Sequence, residues 1–223
     1  LANILNAELP KLLAIYCKKN SVILIHFSTD FVFNGFTKKN YDEFDEANPI
    51  NVYGNSKLLG EQNIIKYLDN YLILRVSSVF GNSKNNFIYK IIKNIKSLEK
   101  FNVVDGQTSS PTSSNFVSFI INLIIKRLEN KKIEFGIYHS VPRGLVTKYE
   151  LAIHVKNLMK ANKINFDNKI LNPINSSKLS LLAKRPIYSV LNSKKLEKQL
   201  QIKFEDWSFY GNLKIMEILN EMH

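Results

Sequence analysis

Val22-Ile23-Leu24-Ile25-His26-Phe27 is a near-continuous apolar run that stops abruptly at Ser28-Thr29-Asp30. A short run without alternation fits a strand buried on both faces, as the strands of a parallel sheet are. Tyr71-Leu72-Ile73-Leu74-Arg75-Val76 repeats the pattern. Between the two lie a polar stretch, residues 34–49, with the composition of a long loop, and a helical periodicity from Tyr53 to Tyr67. Strand, helix, strand in that order predicts a layered α/β fold.

Working outward, Ile4, Leu5, Leu9, Leu12, Leu13 and Cys17 recur mostly at three- and four-residue spacings and predict a helix over residues 3–18. Downstream, helices are predicted over 87–95, 115–128, 148–160 with Thr147 as cap, 193–200, and from about Asp206 onward. Short strands are predicted over 102–105 and 135–139. The sequence shows no internal repeat and no low-complexity tract.

A length of 223 residues suits one large domain or two small ones, and 45% apolar against 22% charged residues excludes a disordered chain. No apolar run reaches the roughly 18–20 residues of a membrane helix, and the opening Leu1–Leu13 segment lacks the pattern of a secretory leader. Cys17 is the single cysteine, which excludes an internal disulfide framework and a cysteine-built zinc site. The expected location is cytoplasmic, with no membrane partner. The net charge is +12. Its lysines are scattered among Asn and Ile rather than gathered into an arginine-rich, aromatic-interleaved patch, so nucleic acid is not an expected partner. A diffuse positive field does favour a substrate carrying phosphates.

The chemistry-bearing pair is Tyr53-x-x-x-Lys57, at the start of a predicted helix. A spacing of four puts both side chains on one helical face, where the lysine ammonium favours the phenolate. Moving a phenol from a pKa of about 10 to near 7 takes about 4 kcal/mol of differential interaction. The product is a general acid or base able to exchange a proton with a carbonyl or hydroxyl. The competing reading of the pair is an ordinary helix start with a solvated lysine, and that of Thr29 and Asp30 is turn or cap chemistry. Because open α/β sheets carry their sites beyond the carboxyl ends of strands, a hydroxyl there, that of Thr29, can hydrogen-bond the same reacting oxygen as Tyr53. The residues by themselves reach a proton-transferring α/β site.

Several segments together resemble the dTDP-4-dehydrorhamnose reductase family, a branch of the extended short-chain dehydrogenase/reductases. They are Phe27-Ser28-Thr29-Asp30-Phe31-Val32-Phe33-Asn34-Gly35, Asn48-Pro49-Ile50-Asn51-Val52-Tyr53-Gly54-Asn55-Ser56-Lys57, Leu74-Arg75-Val76-Ser77-Ser78-Val79-Phe80-Gly81, Val103-Val104-Asp105-Gly106-Gln107, Arg185-Pro186-Ile187-Tyr188-Ser189-Val190-Leu191 and Asp206-Trp207. The resemblance covers essentially the whole chain, in the family's order. It implies a partial Rossmann-like parallel sheet with a smaller C-terminal α/β substrate-binding portion. Residues 1–80 would be the C-terminal part of the nucleotide-binding domain and 81–223 mainly the substrate-binding portion, with 115–160 returning to the Rossmann layer. It further implies NADPH- or NADH-dependent reduction of the 4-keto group of a nucleotide-linked deoxysugar, in dTDP-L-rhamnose synthesis.

On this resemblance Tyr53 is the proton donor to the sugar ketone, and Lys57 tunes Tyr53 and binds the nicotinamide ribose. Thr29 hydrogen-bonds the developing alkoxide, and Asp30, Ser78, Arg185 and Ser189 lie on the substrate side. Arg185 has a surface ion pair as its competing reading. Asn6 falls where the wider superfamily often has a supporting asparagine. A homodimer is the implied assembly; the family includes a metal-bridged dimer, but no residue here is assigned to metal.

Departures from the family's pattern set further expectations. The eight glycines form no Gly-x-x-Gly-x-x-Gly turn for a cofactor pyrophosphate, so the N-terminal cofactor-binding segment is expected to be lacking and an apolar sheet face to be open to water. Phe31 replaces a usual Tyr, Ser78 a usual Trp and Ser109 a usual Gly. A non-catalytic regulatory subunit, similar to the β subunit of methionine adenosyltransferase, is the alternative; a nucleotide-sugar epimerase or dehydratase is a third reading.

Overall fold

The structure is a computed structural model that describes residues 1–97, 100–164, 166, 170–175 and 183–222. Helix α1 (Leu9–Lys19) follows a π turn over Ile4–Glu8. Pro10 has no N–H to return to the carbonyl four residues back, and the π turn accommodates it, the Leu9 N–H reaching Ile4 instead. Strand β1 (Leu24–Thr29) leads into α2 (Val52–Tyr67), and β2 (Tyr71–Val76) follows. Next come β3 (Val79–Phe80), α3 (Phe87–Ser97), β4 (Lys100–Asp105), β5 (Thr108–Ser109) and β6 (Thr112–Ser113). Then α4 (Ser114–Glu129), β7 (Gly136–His139), β8 (Val146–Thr147) and α5 (Lys148–Ala161) continue the chain. It closes with β9 (Ile170–Asn175), α6 (Lys194–Leu200) and α7 (Trp207–Glu221).

Helix starts are set by local hydrogen bonds. Ser113 and Asp206 cap α4 and α7, and α5 opens with a full capping box between Thr147 and Glu150.

The central sheet is parallel, in the order β1-β2-β7. Its two faces are separated by strand alternation. Leu24 and Ile73 pack with Ala14, Cys17 and Ile64 from α1 and α2. Leu72, Leu74 and Tyr138 pack on the other face with Phe116, Ile120 and Ile124 of α4 and Leu196 and Leu200 of α6. This doubly wound arrangement is the Rossmann-like α/β fold that the sequence predicts. A second core gathers α3, α5 and α7 around the parallel pair β4–β9. Within residues 115–160, α4 and β7 therefore pack with the central sheet and α5 with the second core.

Two expectations are corrected. β1 is not buried on both faces: it is an edge strand, and Phe27 is 40% exposed. Along the π turn and α1 the bulky stripe Ile4, Leu5, Leu9, Leu12 and Leu13 faces outward, while Ala7, Pro10, Ala14 and Cys17 are buried. The reason is close helix packing: a Cβ on Gly60 of α2 would lie 2.0 Å from the Asn6 carbonyl. Only small residues fit between backbones that close.

Candidate active site

β1 ends at Thr29, and the chain turns at once into a 3-10 turn, Asp30–Val32. The Thr29 hydroxyl oxygen accepts the Phe31 N–H at 3.2 Å, and its proton goes to Asp30 Oδ1 at 3.1 Å. The other carboxylate oxygen of Asp30 accepts the hydroxyls of Ser77 at 2.7 Å and Ser189 at 2.6 Å. Three hydroxyls, from the ends of β1 and β2 and from the C-terminal segment, thus converge on one buried carboxylate. Burial raises the Asp30 pKa, and the Ser189, Ser77 and Thr29 hydroxyls pull it back down.

Helix α2 brings Tyr53 to the same place. The Asn51 side chain caps it by accepting the Gly54 N–H at 2.8 Å. Gly54 lets the helix start press against the 3-10 turn, since a Cβ there would sit 2.1 Å from the Phe31 carbonyl. The Phe31 ring meets the Tyr53 ring edge to face, centroids 6.0 Å apart. Asn6 supports the same turn: its amide donates to Ser56 Oγ at 3.0 Å, and the Ser56 hydroxyl donates to the Tyr53 carbonyl at 2.8 Å.

Tyr53 is 48% exposed and lines the same cleft as Thr29. Burial, the largest effect, and the Asp30 charge raise its pKa, while the Thr29 hydroxyl lowers it. The shift is upward, opposite to the lowering toward 7 expected from Lys57, because burial outweighs the rest; it keeps the proton on the phenol at neutral pH, which is the form a proton donor needs.

Lys57 follows one turn further along α2. Its ammonium donates to the Phe27 carbonyl at 2.5 Å and sits 3.2 Å from His26 Nε2. Burial lowers the Lys57 pKa, and the Glu61 carboxylate raises it in part. Glu61, a further turn along α2, holds Arg75 of β2 through two bonds of 2.9 and 2.6 Å, both side chains buried.

A cleft of about 370 Å³ opens over Thr29, Asp30 and Tyr53. Its other walls are β5, the start of α5 and the segment around Arg185 to Ser189. Ser78 lies at its rim in left-handed backbone, φ +44°, with its hydroxyl 2.7 Å from that of Ser109. Lys148 enters from the first turn of α5. Its pKa is pushed down to about 8 by burial and by the Arg185 guanidinium, with Asp30 pulling the other way. Thr29, Asp30, Tyr53, Ser78, Arg185 and Ser189 all line this one cleft; Lys57 is not among the lining residues, and its ammonium is held by β1.

Sequence reasoning missed Ser77, Lys148 and His26. Ser77 follows β2 directly, as Asp30 follows β1, and that parallel position was the available signal. Lys148 read only as the start of a helix, and His26 only as part of an apolar run.

Three comparisons bear on this geometry. The model of the RmlD substrate binding domain family matches residues 1–221. Among curated proteins, the dTDP-4-dehydrorhamnose reductase of Aggregatibacter actinomycetemcomitans is 34% identical over 85% of this chain and 65% of its own length. The dTDP-4-dehydrorhamnose reductase of Escherichia coli K12 is 29% identical over 99% of this chain and 73% of its own. Among solved structures, the dTDP-4-dehydrorhamnose reductase of Clostridium acetobutylicum superposes with a TM-score of 0.84 at 28% identity, covering 96% of this chain and 72% of that one. The dTDP-4-dehydrorhamnose reductase of Bacillus anthracis, solved in complex with NADP, gives 0.80 at 28% identity, over 97% and 72%. Among the described residues no helix is long and apolar enough to cross a membrane.

Proposed function

The chain belongs to the RmlD substrate binding domain family, and from that premise we propose that its site reduces the 4-keto group of dTDP-4-dehydrorhamnose, with NADPH or NADH as hydride source, to give dTDP-L-rhamnose. The observation that carries this reading is that Tyr53 and Thr29 line one open cleft together with Asp30. The curated relatives are named as reductases, which favours this reading over a regulatory subunit.

The residues present fit the nicotinamide-ribose end of a dinucleotide. A lysine has three N–H donors, and the Phe27 carbonyl and His26 engage two directions of the Lys57 ammonium. Tyr53 and Lys57 would hold that end. No residue of this chain is assigned to the pyrophosphate. When bound, the reduced nicotinamide supplies the hydride.

The chain's own residues handle the proton. Tyr53 gives its phenolic proton to the ketone oxygen as that oxygen gains charge. Thr29 has one hydroxyl proton, held by Asp30, and turning it toward the nascent alkoxide stabilises the charge where it develops. Asp30 keeps the Ser77 and Ser189 hydroxyls when Thr29 turns, so its carboxylate is not left bare. The Lys57 cation, one helical turn away, offsets the phenolate left on Tyr53. Arg185 and Lys148, cations on the far wall, attract the phosphates of the nucleotide sugar.

The test is to supply the full-length gene product with NADPH and dTDP-4-dehydrorhamnose, follow the loss of reduced-nicotinamide absorbance, and identify the product by NMR. The expected result is stoichiometric oxidation with a 4-hydroxy product. An epimer formed without net oxidation, or no turnover, contradicts the reading.

A further inference from the structure

Strand alternation puts His26 on the face of the sheet that carries α2, together with Leu24 and, across the register, Ile73. Its Nε2 lies 3.2 Å from Lys57 Nζ. A lysine ammonium only donates, so the imidazole must be neutral with Nε2 as acceptor and its proton on Nδ1. The Phe27 carbonyl, one residue along the same strand, takes a second Lys57 N–H at 2.5 Å. Two acceptors on one edge strand therefore fix the direction of an ammonium that a flexible four-carbon stem would otherwise leave free.

We propose that His26 is the positioning residue of Lys57: it holds the ammonium in place, one helical turn past Tyr53, as a hydrogen-bond acceptor. This rests on the reductase reading for its catalytic consequence, but its structural part stands on this chain alone. The imidazole is suited to the task because burial and the neighbouring Lys57 charge depress its pKa to about 4. It stays an acceptor throughout the neutral range instead of becoming a second cation beside the first.

Long-range 1H–15N spectra of the histidine side chains test the structural part without activity. The expected spectrum shows His26 neutral at pH 7 with its proton on Nδ1, and Lys57→Met raises its titration midpoint. A proton on Nε2, or a midpoint unchanged by Lys57→Met, overturns the proposal. Kinetics of the full-length protein test the consequence. His26→Leu removes the acceptor and is expected to lower kcat by about tenfold or more, the worth of one charge-assisted hydrogen bond, and to shift the alkaline limb of the kcat profile. His26→Gln, which keeps an acceptor, is expected to recover most of the loss while the thermal midpoints of both variants match. Equal losses in the two variants, or a His26→Leu enzyme with wild-type kcat and pH profile, overturn it. An inactive wild-type protein would instead sink the reductase reading, leaving the spectra to decide His26.

Discussion

Ser189 donates its hydroxyl to Asp30 across 2.6 Å, a bond that ties residues 159 positions apart. It joins the C-terminal segment, with Arg185, to the end of β1, and so sets the width of the cleft between Tyr53 and the opposite wall. Asp30 is 2% exposed, so its carboxylate depends on such donors.

Ser189→Ala should destabilise the protein by about 1.5–3 kcal/mol, the usual worth of a hydrogen bond to a buried charge. Urea unfolding measures the stability. The same variant should raise KM for the nucleotide sugar with a smaller effect on kcat, because the loosened wall binds substrate while Tyr53 delivers the proton.

Lys148 makes substrate affinity depend on pH. With a pKa of about 8 it is charged below that value and neutral above it. The dissociation constant for dTDP should therefore rise as pH increases through 8, and Lys148→Met should bind weakly at pH 7 and show a flatter profile. Isothermal titration across that range checks both statements.

Arg75 and Glu61 form a buried, doubly bonded ion pair under the catalytic helix. Replacing Arg75 by Met strands the Glu61 carboxylate without its partner, which costs about 3–5 kcal/mol. Replacing both residues by apolar ones of similar volume should cost less than that single change. Denaturant midpoints of the single and double variants test the ordering.

Gly54→Ala should cost activity out of proportion to its size. Its Cβ would meet the Phe31 carbonyl at 2.1 Å, so α2 must move off the 3-10 turn and carry Tyr53 away from Thr29. The expected result is a large fall in kcat in a protein that still folds, checked by circular dichroism beside the assay.

The legible parts of this molecule are those where burial is local. β1 and α2 follow from an apolar run and a period, and with β2 they pack locally on one face of the sheet, although the other face of β2 is covered by the distant α4 and α6. The orientation of α1 was not legible, because the bulky stripe that the period picks out faces outward and Gly60 on another helix selects the small one. Strand β9 was missed: Pro173 interrupts its pattern, and among the described residues the strand pairs with β4 alone, an edge position that tolerates proline. In the site, Tyr53, Thr29 and Asp30 stood out through short-range spacing. Ser189 was marked by the resemblance and Ser77 by its place directly after β2, whereas Lys148 and His26 reach the site only through the tertiary fold.

The most direct test of the account is the turnover of Tyr53→Phe in the full-length protein with NADPH and dTDP-4-dehydrorhamnose, set beside its affinity for the substrate. Losing a positioned general acid should lower kcat by about a hundredfold to ten-thousandfold, with the dissociation constant little changed, since the ring still packs against Phe31. A Tyr53→Phe enzyme that turns over at the wild-type rate would contradict the central claim that this phenol delivers the proton.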